Sequence, residues 1–564
     1  MESTAAHRVV GLLAGDLWKR IRTSLLPYTR EEIIEDVRRS WDQDIALFGR
    51  ESREARELHD LTVDDRDRID ERIWVDLDLP ILFRELDFTA TDIGQQYLYR
   101  MLRQFREEAR LRSDYAVVKR LQTDAEARES ILVELHPLGS SDLDAATRLL
   151  FGKVAKPTHR KLLVCAWSTG MTTLTVSTLL LGGWLWYAAL PALVVNLIAC
   201  QWFTSRTDRL SYAYHVLYQM LCVADAISRR RDLGHLPACA DLEALRPDIV
   251  TLKRRSLLLA LSQASPNLFV AQPMHLVNLL TAIEPLLHTF NADRLDRCTD
   301  ILCAVYEAIG SLEASIAVAR YAERYPLHCN PCLVDGATIE LRAAYHPLIP
   351  DPVPNDFDST GRSALITGSN MAGKTSFIKT VGVNFVLART LWICHAEHAR
   401  FPPLGVATSI RTTDGIREGR SYYFAELERV LEFLEDGSMG TRGKLLLVDE
   451  IYRGTNTVER IAGAAAVLHE LSKRHTVLVT THDTELSGLL SGRYSMLYFD
   501  ETGEVEQPFD YRLKVGVCRT RNALKLMGKI GYPAHVVERA LQIAEKIDAG
   551  GATAGMTDDG AVDS

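Results

Sequence analysis

The sequence predicts a multidomain chain. An α-helical half, interrupted by a hairpin long enough to cross a membrane, precedes an α/β domain built on a parallel sheet. Three observations predict it. Residues 162 to 205 contain no Asp, Glu, Lys or Arg. Near residue 333 the texture changes, and short apolar runs begin to alternate with helical patterns. A glycine-containing segment at 368–375 stands between one such run and a helix-compatible stretch. The 564 residues suggest about three or four folding units at roughly 100–200 residues each. With 47% hydrophobic and 25% charged residues, wholesale disorder is excluded. A net charge of −9 excludes a strongly basic nucleic-acid coat, although not a local basic face.

Residues 1 to about 75 are charge-rich with helical apolar spacing, as at Ile33, Ile34, Val37 and Trp41. They read as a helical N-terminal segment, in which Asp64 to Arg72 is a solvated helix face. Residues 76–335 read as one helical domain interrupted by the hairpin at 162–204. Its basic clusters, Arg229-Arg230-Arg231 and Lys253-Arg254-Arg255, read as solvated helix ends. The apolar stretch from Leu268 to Leu287 is broken by Pro273 and Pro285 and reads as packed amphipathic helix. Residues 336–548 form the α/β domain, and 549–564, small and polar, read as a disordered tail. The ten cysteines are scattered, a reduced, intracellular pattern. Cys329 and Cys332 read as a reduced structural pair, since zinc needs about four ligands and no second pair stands at finger spacing.

Forty-four uncharged residues hold two spans at about 20 apolar residues each. Gly182-Gly183 supplies the turn. Trp167, Trp184, Trp186 and Trp202 fall near the helix ends, where amphipathic rings prefer the interface. Arg148, Lys153, Lys156, Arg160 and Lys161 precede the run and Arg206 and Arg209 follow it, so both ends face the cytoplasm by the positive-inside rule. This places the protein in the cell (inner) membrane, with both termini and the α/β domain cytoplasmic. The alternative, a hairpin buried in a soluble core, draws on Thr169, Thr172, Thr173, Thr175, Ser177 and Thr178, which lower the first helix's hydropathy.

Gly368-Ser369-Asn370-Met371-Ala372-Gly373-Lys374-Thr375 fits the phosphate-binding pattern G-x-x-x-x-G-K-[ST]. The run ALIT leads in as a strand and SFIKTVGVNFVLART leads out as a helix. Glycines let backbone N–H groups turn toward phosphates, and the helix N-terminus adds a favourable dipole. Lys374 would hold the β- and γ-phosphates, and the Thr375 hydroxyl would ligate magnesium. Leu445 to Val448 form a buried strand that ends in Asp449 and Glu450. There Asp449 organises the magnesium shell and Glu450 accepts a proton from, or orients, the attacking water. Thr480-Thr481-His482 follow a third apolar strand, which puts His482 beside the phosphates.

These pieces resemble the ATPase domain of the MutS family of DNA mismatch repair proteins. The loop ITGSNMAGKT is similar to the family's TGPNMxGKST, with Ser376 after Thr375 in place of KST. The run from Asp449 to Thr457, DEIYRGTNT, resembles DEIGRGTST, and Thr480 to Leu486 resembles ATHxxEL. Glu418 to Leu427 resembles the GRSTFMVEM segment, His346-Pro347-Leu348 the element that opens the domain, and Lys529 to Ala540 its closing helix. The resemblance implies ATP and Mg2+ as cofactors and a composite site in a homodimer, with Ser421 reaching the partner's phosphates in trans and Asn370 contacting nucleotide or water. It implies DNA as a partner. Against that, the family's N-terminal mismatch reader has no counterpart, since Phe83-Arg84-Glu85 and Phe105-Arg106-Glu107 match its Phe-x-Glu wedge only in helical contexts. The expected function is a membrane-anchored MutS-like ATPase that opens and closes as a clamp. The alternative is an ATP-switched scaffold for a membrane protein partner, held in lipid by residues 162–204. A transporter is the weakest reading, because the LSGGQ-type signature is missing.

Overall fold

The structure, a computed structural model, describes residues 29–43, 47, 55–63, 68–139, 144–152, 161–263, 276–369, 372–410, 422–436, 443–452, 456–501, 509–518 and 531–548. The tail at 549–564, the Ser421 segment, the flank Lys153 to Arg160 and most of the first 28 residues' expected helix lie outside these. Two compact units result: residues 1–68 with 80–326, and residues 69–79 with 327–564.

The first unit is helical. Its helices include Arg30–Asp42, Asp92–Arg103, Glu108–Thr123, Ala125–Leu135 and the 42-residue Ile283–Arg324. Thr29 and Glu32 form a capping box at the first. Helix Asp92–Arg103 is buried along its whole length. Its N-terminus is held by the buried carboxylate of Glu313, which accepts from Thr91 N (2.8 Å), Thr91 Oγ1 (2.6 Å) and Ala90 N. A carboxylate against free N–H groups at a helix start is favourable on both dipole and hydrogen-bond grounds.

The uncharged run folds as helix Lys161–Leu181 and the start of Leu185–Ser228, joined at Gly182 and Gly183 with φ of 58° and 64°. Such left-handed angles suit glycine. Among the described residues three helices are long and apolar enough to cross a membrane: Leu162–Leu181, Leu185–Trp202 and Arg297–Arg324. Only 17% of each of the first two windows is buried, against 72% of the third. The third therefore serves as core, packed on Asp92–Arg103 and Glu108–Thr123. Thr172, Thr173 and Thr178 of the hairpin donate to carbonyls four residues back.

The stretch from Leu268 to Leu287 is not one helix. Residues 276–281 are helical, the chain turns at Ala282 (φ 50°), and a new helix starts at Ile283. Ser168 and Thr175 donate to the carbonyls of Thr281 and Leu280, and Asn196 to those of Asn278 and Leu279. The basic clusters are also more engaged than solvated helix ends. The nearly inaccessible Asp225 carboxylate accepts from Arg229 and Lys253.

Among the described residues the second unit carries ten strands: β1 Cys332–Leu333, β2 Glu340–Ala344, β3 Asn355–Asp358, β4 Ser363–Thr367, β5 His398–Phe401, β6 Gly405–Ser409, β7 Lys444–Asp449, β8 Thr476–Thr481, β9 Tyr494–Glu501 and β10 Phe509–Val515. A small sheet runs β1-β5-β2-β3 and a large one β10-β9-β4-β8-β7-β6. In the large sheet all neighbours are parallel except β10 with β9. Alternate residues explain the burial of both faces. Leu365, Leu446, Val448, Val477 and Val479 join a core with Val430, Phe433, Ala464 and Leu468 of helices Tyr422–Asp436 and Thr457–Leu471. Leu447 points to the opposite side, under helix Lys374–Thr390. That helix lies close because residue 382 has no side chain. A Cβ there would stand 2.6 Å from Leu447 Cδ1 and 2.7 Å from Leu77 Cδ2.

Candidate active site

Register brings the chemistry together. Thr367 pairs with Thr481, and Asp449 with Thr480, so β4, β7 and β8 end on one edge of the sheet. Each is a fully or almost fully buried strand. Its polar residues appear only where the apolar run stops.

After β4 the chain turns through Gly368 (φ 145°) and Gly373 (φ 105°) into helix Lys374–Thr390. Gly368 tolerates no side chain, since a Cβ would lie 2.6 Å from the Phe499 carbonyl oxygen of β9. Lys374 is buried, and its Nζ donates to the carbonyls of Gly368 (2.7 Å) and Ser369 (2.8 Å). Ser369 Oγ is buried without a hydrogen-bond partner, a polar group at the loop that a phosphate oxygen would satisfy. Ala372 is buried, whereas Thr375 and Ser376 are exposed in the helix's first turn. Asn370, Met371 and Ser421 lie outside the described residues.

Thr375 Oγ1 stands 3.1 and 3.0 Å from the two carboxylate oxygens of Asp449. Thr480 Oγ1 also donates to Asp449. One hydroxyl and one carboxylate side by side are hard oxygen donors suited to magnesium. Among the described residues no cluster of three His, Cys, Asp or Glu could hold a metal. The fit is therefore to an ion that keeps waters and substrate phosphates as its remaining ligands.

Glu450 takes a left-handed φ of 57°, fixed by its N–H donating to Thr480 O (3.1 Å) and near Thr480 Oγ1 (3.2 Å). Its carboxylate contacts His482 Nε2. Lys374 Nζ is 3.4 Å from His482 Nδ1. His482 turns Nδ1 toward the lysine and Nε2 toward the Glu450 carboxylate. His482 thus links the loop lysine to the strand-end carboxylate. Tyr452 has φ 63°, and its N–H is taken by the buried Glu426 of helix Tyr422–Asp436. Two left-handed non-glycine residues within three positions mark a turn held by its surroundings.

A cavity of about 490 Å³ adjoins the loop, lined by His346, Asp351, Gly373, Ser376, Phe499 and Tyr511 among others. Burial pushes His346 down to about 4, so it is neutral there. Sequence reasoning named Thr480 but not its bond to Asp449, and it missed Ser369's unsatisfied hydroxyl and the aromatic cavity wall. Only the His346-Pro347 element hinted at the last. Phe83-Arg84-Glu85 lies in helix Leu79–Leu86, while Phe105-Arg106-Glu107 forms the connection before Glu108 rather than helix.

A glycine turn and a lysine at a helix start thus follow β4, and carboxylates end β7, two strands away, on the same edge of the sheet. Residues 364–548 match the family described as MutS domain V. The DNA mismatch repair protein MutS of Thermus aquaticus is 29% identical over 265 residues, 46% of this chain and 32% of that protein. Endonuclease MutS2 of Thermus thermophilus is 34% identical over 240 residues, 42% of this chain and 31% of its own length. Endonuclease MutS2 of Shouchella clausii is 30% identical over 271 residues, 46% and 34% respectively. The chain thus spans about a third of the length of each of these relatives. The likeness to the MutS family is carried by residues 364–548, which match MutS domain V.

Proposed function

We propose that the chain is a membrane-anchored MutS-type ATPase that binds and hydrolyses ATP with Mg2+ in a homodimer and acts on DNA. The observation that carries this reading is the convergence of Lys374, Thr375, Asp449, Glu450 and His482 on one edge of the sheet. ATP phosphates would lie over Gly368 to Ser376, where Lys374 exchanges its loop carbonyls for phosphate oxygens. The base would enter the cavity beside Tyr511 and Phe499, whose rings offer stacking surface. Thr375 and Asp449 would hold Mg2+, which supplies charge neutralisation at the phosphates. Glu450 would orient the attacking water and accept its proton, with His482 fixing the carboxylate. Ser421 would complete the partner's site in trans, so that nucleotide closes the dimer as a clamp and hydrolysis reopens it.

The hairpin at 162–204 would anchor the protein in the inner membrane, with both termini and the ATPase domain in the cytoplasm. Leu179, Leu180, Tyr187 and Leu190 expose more than half of their surfaces, an apolar cover that lipid would satisfy. The relatives named for DNA mismatch repair and endonuclease activity support DNA as the partner. The same exposed hairpin supports a second reading, an ATP-switched scaffold for a membrane protein with no role on DNA. ATP turnover of detergent-solubilised protein, measured with duplex, mismatched and branched DNA, separates the two. Stimulation by DNA is expected. Turnover indifferent to every DNA would overturn the DNA reading.

A further inference from the structure

Cys329 and Cys394 face one another in an antiparallel bridge. Each backbone N–H donates to the other's carbonyl, at 2.8 and 2.9 Å. Residues that exchange both bonds stand with Cα atoms about 5.5 Å apart, inside the range of about 4.4–6.8 Å that a disulfide spans. Both are free thiols. Cys394 is sealed from solvent, Cys329 is partly exposed, and Cys332 is exposed. The Cys394 thiol donates to the Asn384 carbonyl (3.7 Å); the neighbouring Cys394 side chain draws the Cys329 pKa below the ordinary thiol range, while burial drives Cys394 well up. The sequence pairs Cys329 with Cys332 by proximity, but the fold gives it a different partner. One thiol is accessible and ionisable, and the other waits behind it. This asymmetry suits an attacking and a resolving cysteine.

We propose that Cys329 and Cys394 form a redox-active dithiol, a modification site that hydrogen peroxide closes to a disulfide. The Cys329 thiolate attacks the peroxide O–O bond; an S–O bond forms, and the leaving hydroxide takes a proton to become water. Cys394 sulfur then attacks the sulfenic sulfur. The S–S bond forms as the S–O bond breaks, and the Cys394 proton leaves with the hydroxyl as a second water. Two thiols are oxidised and one peroxide is reduced. A dithiol reductant reverses the step by exchange. The chain enters the second unit at Leu327, and Cys394 follows the end of helix Lys374–Thr390. The disulfide therefore closes a covalent loop that contains the glycine loop and the whole of that helix. The inference goes beyond the ATPase reading and does not depend on it.

The test is hydrogen peroxide treatment of the full-length protein in detergent, followed by alkylation, non-reducing digestion and mass spectrometry. A single link between the Cys329 and Cys394 peptides is expected, lighter by two hydrogens and reversed by dithiothreitol. Cys332→Ser should retain it and Cys329→Ser should lose it. The wild-type and Cys332→Ser arms stand even where Cys394→Ser fails to fold. Both thiols remaining alkylatable after peroxide, a Cys329–Cys332 link, or oxidation of Cys329 to sulfinic acid without a link would each overturn the proposal.

Discussion

Gly368→Ala perturbs the candidate site through geometry alone. Residue 368 has φ 145°, and a Cβ would meet the Phe499 carbonyl oxygen at 2.6 Å, with Phe499 N and C at 3.4 Å. An L side chain in that backbone region costs about 1–3 kcal/mol. The blocking atom is backbone of β9, paired with β4 through Thr367 and Tyr498, so it cannot swing aside like a side chain. Forcing the two apart adds about 1–3 kcal/mol, as overpacking does in cores. The sum, about 2–6 kcal/mol, divides between folding of the second unit and the loop's shape. At about 2–4 °C per kcal/mol for a unit of this size, a melting temperature lower by up to about 4–24 °C is expected, the full range applying where the whole cost falls on folding. ATP affinity should fall with it. Differential scanning calorimetry and nucleotide titration read both. Gly488→Ala is the control, because nothing lies within 4 Å of its Cβ position. If G368A melts within about 1 °C of wild type, less than the expected shift by a wide margin, and binds ATP equally, the steric reasoning is wrong.

Glu450→Gln should keep nucleotide binding while slowing turnover about 10²–10⁴-fold, the usual weight of a general base; equal losses in both would assign Glu450 to binding instead. Burial holds His346 at about 4 and His395 at about 3, so both stay neutral in the fold while the unfolded chain takes up protons below about 6.5. Their contribution is complete above that pH and is lost as the pH falls toward 4, about 2 kcal/mol each by pH 5. His395→Gln should flatten the melting-temperature profile over that interval, and a parallel profile would contradict the assignment. Glu313→Ala strips three donors of a buried acceptor and should cost about 3–5 kcal/mol of first-unit stability, seen as a lower denaturant midpoint with unchanged slope. A loss under about 1 kcal/mol, the net worth of one ordinary hydrogen bond, would refute it.

Much of the candidate site is legible from local chemistry. The strand ALIT, the glycines, Lys374 and Thr375 are contiguous, and Asp449, Glu450 and His482 each end an apolar run. What stays hidden depends on pairing between distant strands. Thr480 reaches Asp449 only because β8 lies beside β7 in that register. Gly368's constraint comes from β9, and Cys329 meets Cys394 through a bridge that no spacing announces. Helix Glu71–Asp76 belongs to the second unit because the Asp76 carboxylate accepts from Ile410 N, 3.1 Å away. Arg297–Arg324 passes the same length and hydropathy test as the hairpin helices, but it carries charged residues such as Glu307 and Glu313 and is far more buried.

The central claim is that Lys374 and the strand-end carboxylates form an ATP site. The most direct measurement is MgATP titration of the purified full-length protein by isothermal calorimetry, wild type beside Lys374→Ala. Lys374 is buried and already surrenders two charge-assisted hydrogen bonds to loop carbonyls that phosphate oxygens would replace. Losing it should remove about 2–4 kcal/mol of binding, roughly 30–1,000-fold in Kd. Saturable wild-type binding with that loss is the predicted result. Wild-type protein that takes up no MgATP, or a Lys374→Ala variant that binds as tightly, would contradict the account.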